Sequence, residues 1–557
     1  MTLRKGTVAL RCSRPPQRSC CVLPAVLVSL GAGAVLVGLI SAVPQRLKGV
    51  QLSGPSLRPN RSSQAKGRYM TRRQQGLLPA LLLLASGCMA RPQIEADYVF
   101  ENVNVVPMNQ ETVLTAQAVA IRDAKIVAIV DQASSVRIRA DQRIDGKGRY
   151  LMPGLADMHV HVRWNPQAMF NLFLANGVTT VTNMRLGDGA GSIDHLSLRH
   201  DVAAGRMVGP RYRVSGPQLH AEQLATIDQV ISVLDEHVKQ KFDVVKVHGD
   251  LRPDVYDALI KGSRERGLRV TGHAQHLLPL SESLRMDSIE HVEEFLYVSR
   301  DATFGRSAEG SLDNFLDAYS SNLERLADPA NRAAIARDVA ASGIYVAPSL
   351  IIYRYIEVYL ADDLFGALRQ DERLAYLPDN VRQEYLQSDT NEYRRDLAVV
   401  FRKHLGSGVR LDEHFAANVQ LLSTLLLELH KAGVPLLLST DAFGAAVPGY
   451  SVHQELELLV AAGLTPYEAL RTGTVNVAAY LGETNSAGTI EVGKHADFVL
   501  VEGNPLADIR HAAAVKGVFT QARWHSESDV QNLLVTSRRL LSSETGASAT
   551  GRTPHAP

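Results

Sequence analysis

The chain has 557 residues, with 59 Lys or Arg against 58 Asp or Glu, and its formal charge of +1 hides a strong asymmetry. Residues 1–87 carry 13 of the basic residues and no acidic one, so the rest holds 46 basic against 58 acidic residues, a net of −12 that argues against nucleic-acid binding. All four cysteines (Cys12, Cys20, Cys21, Cys88) lie at the front, which denies the body both disulfides and a thiolate nucleophile and leaves only N and O ligands for any metal there.

Two apolar segments precede the body. Cys21–Val43 has the length of a membrane span, although glycines interrupt it. The second segment starts at Met70 with MTRRQQGLLPALLLLASGC: a basic start at Arg72 and Arg73, an apolar Leu77–Leu84, and small residues before Cys88. That is the layout of a secretory signal, and its end resembles the lipobox of bacterial lipoproteins, with Ala85 where that pattern most often has leucine. The reading is translation from Met70, residues 70–88 as a lipoprotein-type signal, and lipid on Cys88 holding an exported protein on a membrane surface in the periplasm or cell envelope. Residues 1–69 are then an upstream extension, or else an anchor formed by Cys21–Val43.

In the body, residues 89–150 show short alternating runs such as YVFENVNVVPM and AQAVAIRDAKIVAIV, broken by Asp and Gly. The pattern returns within 483–530 as AGTIEVGKHADFVLVEGNP. Neither end has enough strands to bury a core alone, so the two are expected to pair into one β-sandwich. Between them, over 151–482, apolar strands alternate with helical stretches: Leu155–His161, Gly177–Met184, Arg211–Gly216, Val244–His248, Arg269–His273, Ser288–His291, Tyr345–Leu350 and Pro435–Asp441. Eight such repeats predict an α/β fold, a parallel (β/α)8 TIM-like barrel, with its chemistry at the C-terminal strand ends. Residues 296–343 and 351–434 are long, charged and helical, and read as lids, specificity walls or an oligomer contact. Tyr353 heads the tyrosines of the second and is a candidate substrate contact. Residues 531–557 read as a disordered tail.

Polar residues fall at those strand ends. His159 and His161 are two apart on one strand, so both imidazoles point to one face, half of a metal site. Lys246 sits within the apolar FDVVKVHG, and a neutral buried amine there can react with carbon dioxide to give a carbamate with two oxygens for metal. His273 and His291 end the fifth and sixth strands, and Asp441 closes the eighth.

These pieces, PGLADMHVH, VVKVHG, GHA, IEHVEE, STDA and AGTIEVGKHADFVLVEGNPLADI, resemble the amidohydrolase superfamily, in particular its imidazolonepropionase-like and prolidase-like branch, over roughly Ala96–Ile509. The resemblance implies that His159, His161 and Asp441 hold one metal and His273 and His291 a second, bridged by carboxylated Lys246. Zinc suits these ligands. It further implies a hydrolase of amide-type C–N bonds, acting on a dipeptide, Xaa-Pro included, or a cyclic amide, with metal-activated water attacking and Asp441 moving the proton. His220 lies where related sequences place a histidine near substrate; His453 reads as a helix cap, and His195 and His248 are weaker candidates. An esterase, lactonase or phosphotriesterase keeps the same metals and changes the bond. A non-catalytic binding protein on a barrel is the reading from another class.

Overall fold

The computed structural model describes residues 93–186, 192–300 and 312–542, the side chains of 312–318 excepted. All of these belong to one compact unit, Gly87–Pro557. Both leader segments, Cys88 and everything beyond Ser542 lie outside the described residues. Among the described residues no helix is long and apolar enough to cross a membrane.

The two ends of the body do pair. Strands Arg523–Ser526, Val515–Thr520, Phe498–Val501, Tyr150–Pro153, Gln93–Val105, Leu114–Arg122 and Lys125–Asp131 lie in that order, and Arg137–Asp145 also pairs with Gln93–Val105. The seam is antiparallel, with Leu151 opposite Leu500. A two-residue turn at Asp123 and Ala124, both at positive φ, matches the twist of the hairpin it closes. Where a sandwich was expected, these strands form one eight-stranded sheet. Gln93–Val105 is 13 residues long and takes different neighbours along its length, and the apolar residues of the two ends of the body form one cluster. Phe100, Phe498 and Phe519 meet there with centroids 5.0–6.0 Å apart, contacts of about 0.5–1.5 kcal/mol each beyond their burial.

The barrel follows the expected order. Seven parallel strands, Leu155–Val160, Val178–Asn183, Arg211–Leu219, Val244–Val247, Val270–Gly272, Ser288–Glu290 and Tyr345–Ala347, form one sheet. Its members are buried on both faces because helices cover the outside, which is why they read as continuous apolar runs. The eighth segment, Pro435–Asp441, has a single ladder bridge, Leu436 to Val346. It nevertheless completes the ring: Leu437 N–H donates to Val346 O (2.8 Å), Met158 N–H to Leu438 O (2.9 Å), and Asp441 N–H to His159 O (2.8 Å).

Helices are marked locally. Thr226 and Gln229 form a capping box for Ile227–Gln240, and Thr465 and Glu468 form another for Pro466–Thr472, whose Pro466 stands in the first turn. The two long segments are partly the barrel's own crossovers. Pro329–Ser342 leads into the seventh strand and Leu411–Lys431 into the eighth. The real addition is the helical stretch from Leu350 to Leu405, which packs Tyr355, Tyr359, Phe365 and Leu374 against Ala442–Val447, the loop after the eighth strand. One boundary moves: order continues past 531, where a tail was expected. Glu527–Ser542 is a helix that buries Val530 and Leu541, and Ser537 Oγ donates to Ala168 O at 3.0 Å.

Candidate metal centre

The first strand delivers His159 and the loop after it His161, with their Nε2 atoms 3.3 Å apart. Asp441 comes from the far end of the barrel seam. Its Oδ1 lies 3.0 Å from His161 Nε2 and 3.7 Å from His159 Nε2, and its Oδ2 lies 3.7 Å from His291 Nε2. His159, His291 and Asp441 each offer a ligand atom, and these atoms lie within 4.8 Å of one another. His273 stands beside His291 with ring centroids 4.8 Å apart. Lys246 is 0% exposed, and its Nζ has no hydrogen-bond partner among the described residues. The six predicted groups therefore converge at one barrel end.

Backbone geometry makes the convergence possible. Successive residues of a regular strand point to opposite faces, so Glu290 and His291 should diverge. His291 instead has φ 68, outside strand geometry, and its ring lies 4.8 Å from that of His159, which Glu290 also contacts. Asp441 also has positive φ, 41, and faces the histidines while Thr440 binds Asp157. Such left-handed non-glycine residues cost of order 1–3 kcal/mol each and persist where surrounding contacts hold them. Here Asp157 does so: its Oδ1 accepts from Thr440 N–H (3.0 Å) and His159 N–H (3.2 Å), and its Oδ2 from Thr440 Oγ1 (2.6 Å). Gly272, before His273, serves a different need. A Cβ there would meet Val247 O at 1.9 Å, so only glycine lets the fifth strand approach the fourth.

The charges suit a cation. Burial pushes His161 down to about 3 and lowers His273 and His291, so these imidazoles are neutral at pH 7 and free to act as ligands. Burial would raise Asp441, but the neighbouring His159 and His161 outweigh it and hold its carboxyl well below the usual range. Glu290 behaves likewise: burial raises it, and the hydrogen bond from His159 leads the contacts that bring it to about 2. Burial also lowers Lys246, against the pull of Glu290 and Asp441, toward the neutral amine that carbamate formation requires. Neutral imidazoles among ionised carboxylates, with an orphaned buried amine at the centre, fit a divalent metal on N and O ligands.

Residues 376–524, which contain Asp441, match the model of the amidohydrolase family. Over those residues the chain is similar to that family. It is 24% identical over 422 residues to an imidazolonepropionase of Serratia proteamaculans, covering 73% of this chain and 92% of that relative. A shorter match, 31% over 96 residues, joins it to an adenine deaminase of Desulforamulus reducens and spans 17% of this chain and 16% of that relative. Among solved structures, bottromycin amidohydrolase superposes with a TM-score of 0.60 at 20% identity, covering 80% of this chain and 90% of its own. A Xaa-Pro dipeptidase with bound methionine in its active site gives 0.51 at 18% identity, covering 77% and 99%. At those identities the structural likeness establishes the fold. Together with the sequence matches it makes the chain similar to amidohydrolases in both fold and sequence.

Within this amidohydrolase fold the remaining candidates separate. His220 is half-buried, with its ring 4.6 Å from His248, itself 4.6 Å from His273, so a row of imidazoles leads from the centre toward the rim. Tyr353 is 2% exposed and its hydroxyl pairs with Tyr297 at 2.8 Å, a core position. His195 is a core residue bonded to the Tyr212 hydroxyl at 2.7 Å. His453 does not cap its own helix. Its Nε2 donates to the carbonyl of Asn176, the C-cap of the helix Pro166–Ala175.

Several site residues escape the motif reading. Glu290 Oε2 accepts from His159 Nδ1 at 2.8 Å, and Glu294 accepts from His273 Nδ1 (2.8 Å) and His276 Nε2 (2.7 Å). The signal was present: IEHVEE places three acids around one histidine in an apolar neighbourhood, where solvated carboxylates have no place. Arg163, two residues after His161, is exposed and its charge faces Asp441, Tyr385 and Tyr393.

Proposed function

We propose that the protein is a metal-dependent hydrolase of amide-type C–N bonds in small substrates, with dipeptides of the Xaa-Pro kind and cyclic amides as the leading classes. The observation that carries this is the convergence of His159, His291 and Asp441, ligand atoms within 4.8 Å, at the C-terminal end of a barrel. The long match to an imidazolonepropionase supports it. In this reading His159, His161 and Asp441 would hold one zinc and His273 and His291 a second, and a carboxylated Lys246 would supply two further oxygens to them. Bound metal would acidify water and polarise the scissile carbonyl. The chain's own part is proton traffic and exclusion of solvent. Asp441 takes the proton surrendered by the attacking water and delivers it to the leaving nitrogen. The helical stretch Leu350–Leu405 walls the loop after Asp441 from bulk water.

A panel of dipeptides, cyclic amides, lactones and organophosphates, assayed on protein loaded with zinc and bicarbonate, tests the reading. Turnover confined to C–N substrates is expected. Turnover of lactones or organophosphates alone would replace it with the esterase or phosphotriesterase reading, and less than one metal equivalent per chain would remove the metal chemistry.

Export and lipid attachment at Cys88 are part of the proposal and rest on residues 70–88 alone. Mass spectrometry of the native protein is expected to find a diacylated Cys88 at the N-terminus. Any peptide from residues 1–69 would overturn the Met70 start.

A further inference from the structure

We infer that the segment Glu290–Glu294 orients the metal-binding imidazoles, Glu290 acting on His159 and Glu294 on His273, so that each carboxylate governs a different metal position. The inference rests on the two-metal reading above. An imidazole presents one nitrogen to a metal, and the hydrogen bond made by the other nitrogen decides which. Glu290 Oε2 takes His159 Nδ1 at 2.8 Å, leaving Nε2 facing His161 and Asp441. Glu294 Oε1 takes His273 Nδ1 at 2.8 Å, leaving that ring's Nε2.

The two acids are 1% and 3% exposed, and burying a carboxylate is costly unless donors and charge compensate it. Each has its own compensation. The second oxygen of Glu290 accepts from Thr271 Oγ1 and from Ser288 Oγ at 3.2 Å. The second oxygen of Glu294 accepts from Ala274 N–H (2.8 Å) and His276 Nε2 (2.7 Å). The anchors share no residue, so disturbing one leaves the other in place. Local backbone supplies the spacing. The positive φ of His291 leads into a short 3-10 helix, Val292–Leu296, in which Glu294 N–H bonds back to His291 O. That turn returns Glu294 to the side already occupied by Glu290.

The test is metal affinity in the absence of turnover. The metal-free full chain and its Glu290→Gln and Glu294→Gln variants are titrated with Zn(II) against a chromophoric chelator, and with Co(II) by its visible bands. Glutamine keeps the volume and loses the charge. Each variant is expected to weaken one of two binding steps by about 10- to 100-fold, a different step in each, with the other step within about threefold of the wild type. Thr271→Val, which removes a Glu290 donor and leaves the His159 contact, is expected to weaken the same step as Glu290→Gln and to keep the proposal testable if that variant does not fold. Both steps within about threefold of wild type in the variants, or the same step weakened by Glu290→Gln and Glu294→Gln, overturns the inference while the metal reading stands. A wild-type chain that binds no metal overturns both.

Discussion

Asp441→Asn is expected to lower kcat by between about a hundredfold and ten thousandfold while the fold is retained. The carboxylate lies between His161 at 3.0 Å and His291 at 3.7 Å, ionised despite burial, which suits it to the roles of ligand and base proposed above. The amide keeps the volume and one acceptor oxygen but loses the charge and the affinity for a proton. The backbone that presents it does not depend on the side chain: Asp441 N–H still donates to His159 O, and Thr440 still holds Asp157. Steady-state kinetics on the best substrate of the panel, with metal content and a thermal melt alongside, measures the effect. Activity within about tenfold of the wild type would remove Asp441 from the role of base.

Lys246→Ala should lose the bridging group, with it one metal equivalent, and most of the activity. The native amine is fully buried, has no hydrogen-bond partner among the described residues, and is lowered by burial. A salt-bridge lysine would show the opposite: a partner and a raised value. Truncation also opens a cavity, and a large-to-small change of this kind costs about 2–5 kcal/mol, so loss of activity alone is ambiguous. Rescue resolves it. Acetate or propionate, small enough to enter the space and able to bridge with two oxygens, is expected to restore part of both metal content and turnover. A fully metallated, active Lys246→Ala protein contradicts the carbamate.

Much of the barrel was legible because its signal is local. Runs such as LADMHV and VTTVTN are buried at every position, so each strand advertises itself as an apolar stretch ended by a polar residue. His159 and His161 read as sharing a face by strand periodicity, although the strand ends at Val160 and His161 stands in the loop after it. The eighth strand was legible for the same reason even though it makes one ladder bridge, because an apolar segment crossing the barrel seam must be buried however it bonds. Less legible were the limits of the inserted segments and the end of the chain. Helices that serve as crossovers and helices that decorate a site share the same 3.6-residue period, and only their partners tell them apart. Residues from 531 on read as a tail, but the helix Glu527–Ser542 continues to 542, with Ser537 bonded to the helix Pro166–Ala175.

The site divides along the same line. The kinds of donor, their strand ends and their order in the chain are properties of short segments, and the sequence by itself determined them: imidazoles on strands one, five and six, an amine on four, a carboxylate on eight. Which nitrogen each ring presents is not a local property. It depends on Glu290, 131 residues from His159, on Asp157 reaching Thr440 283 residues away, and on positive φ at His291 and Asp441 that no side-chain preference announces. Only the tertiary structure decided these, because a hydrogen bond between distant residues and a strained backbone angle exist only once packing has paid for them.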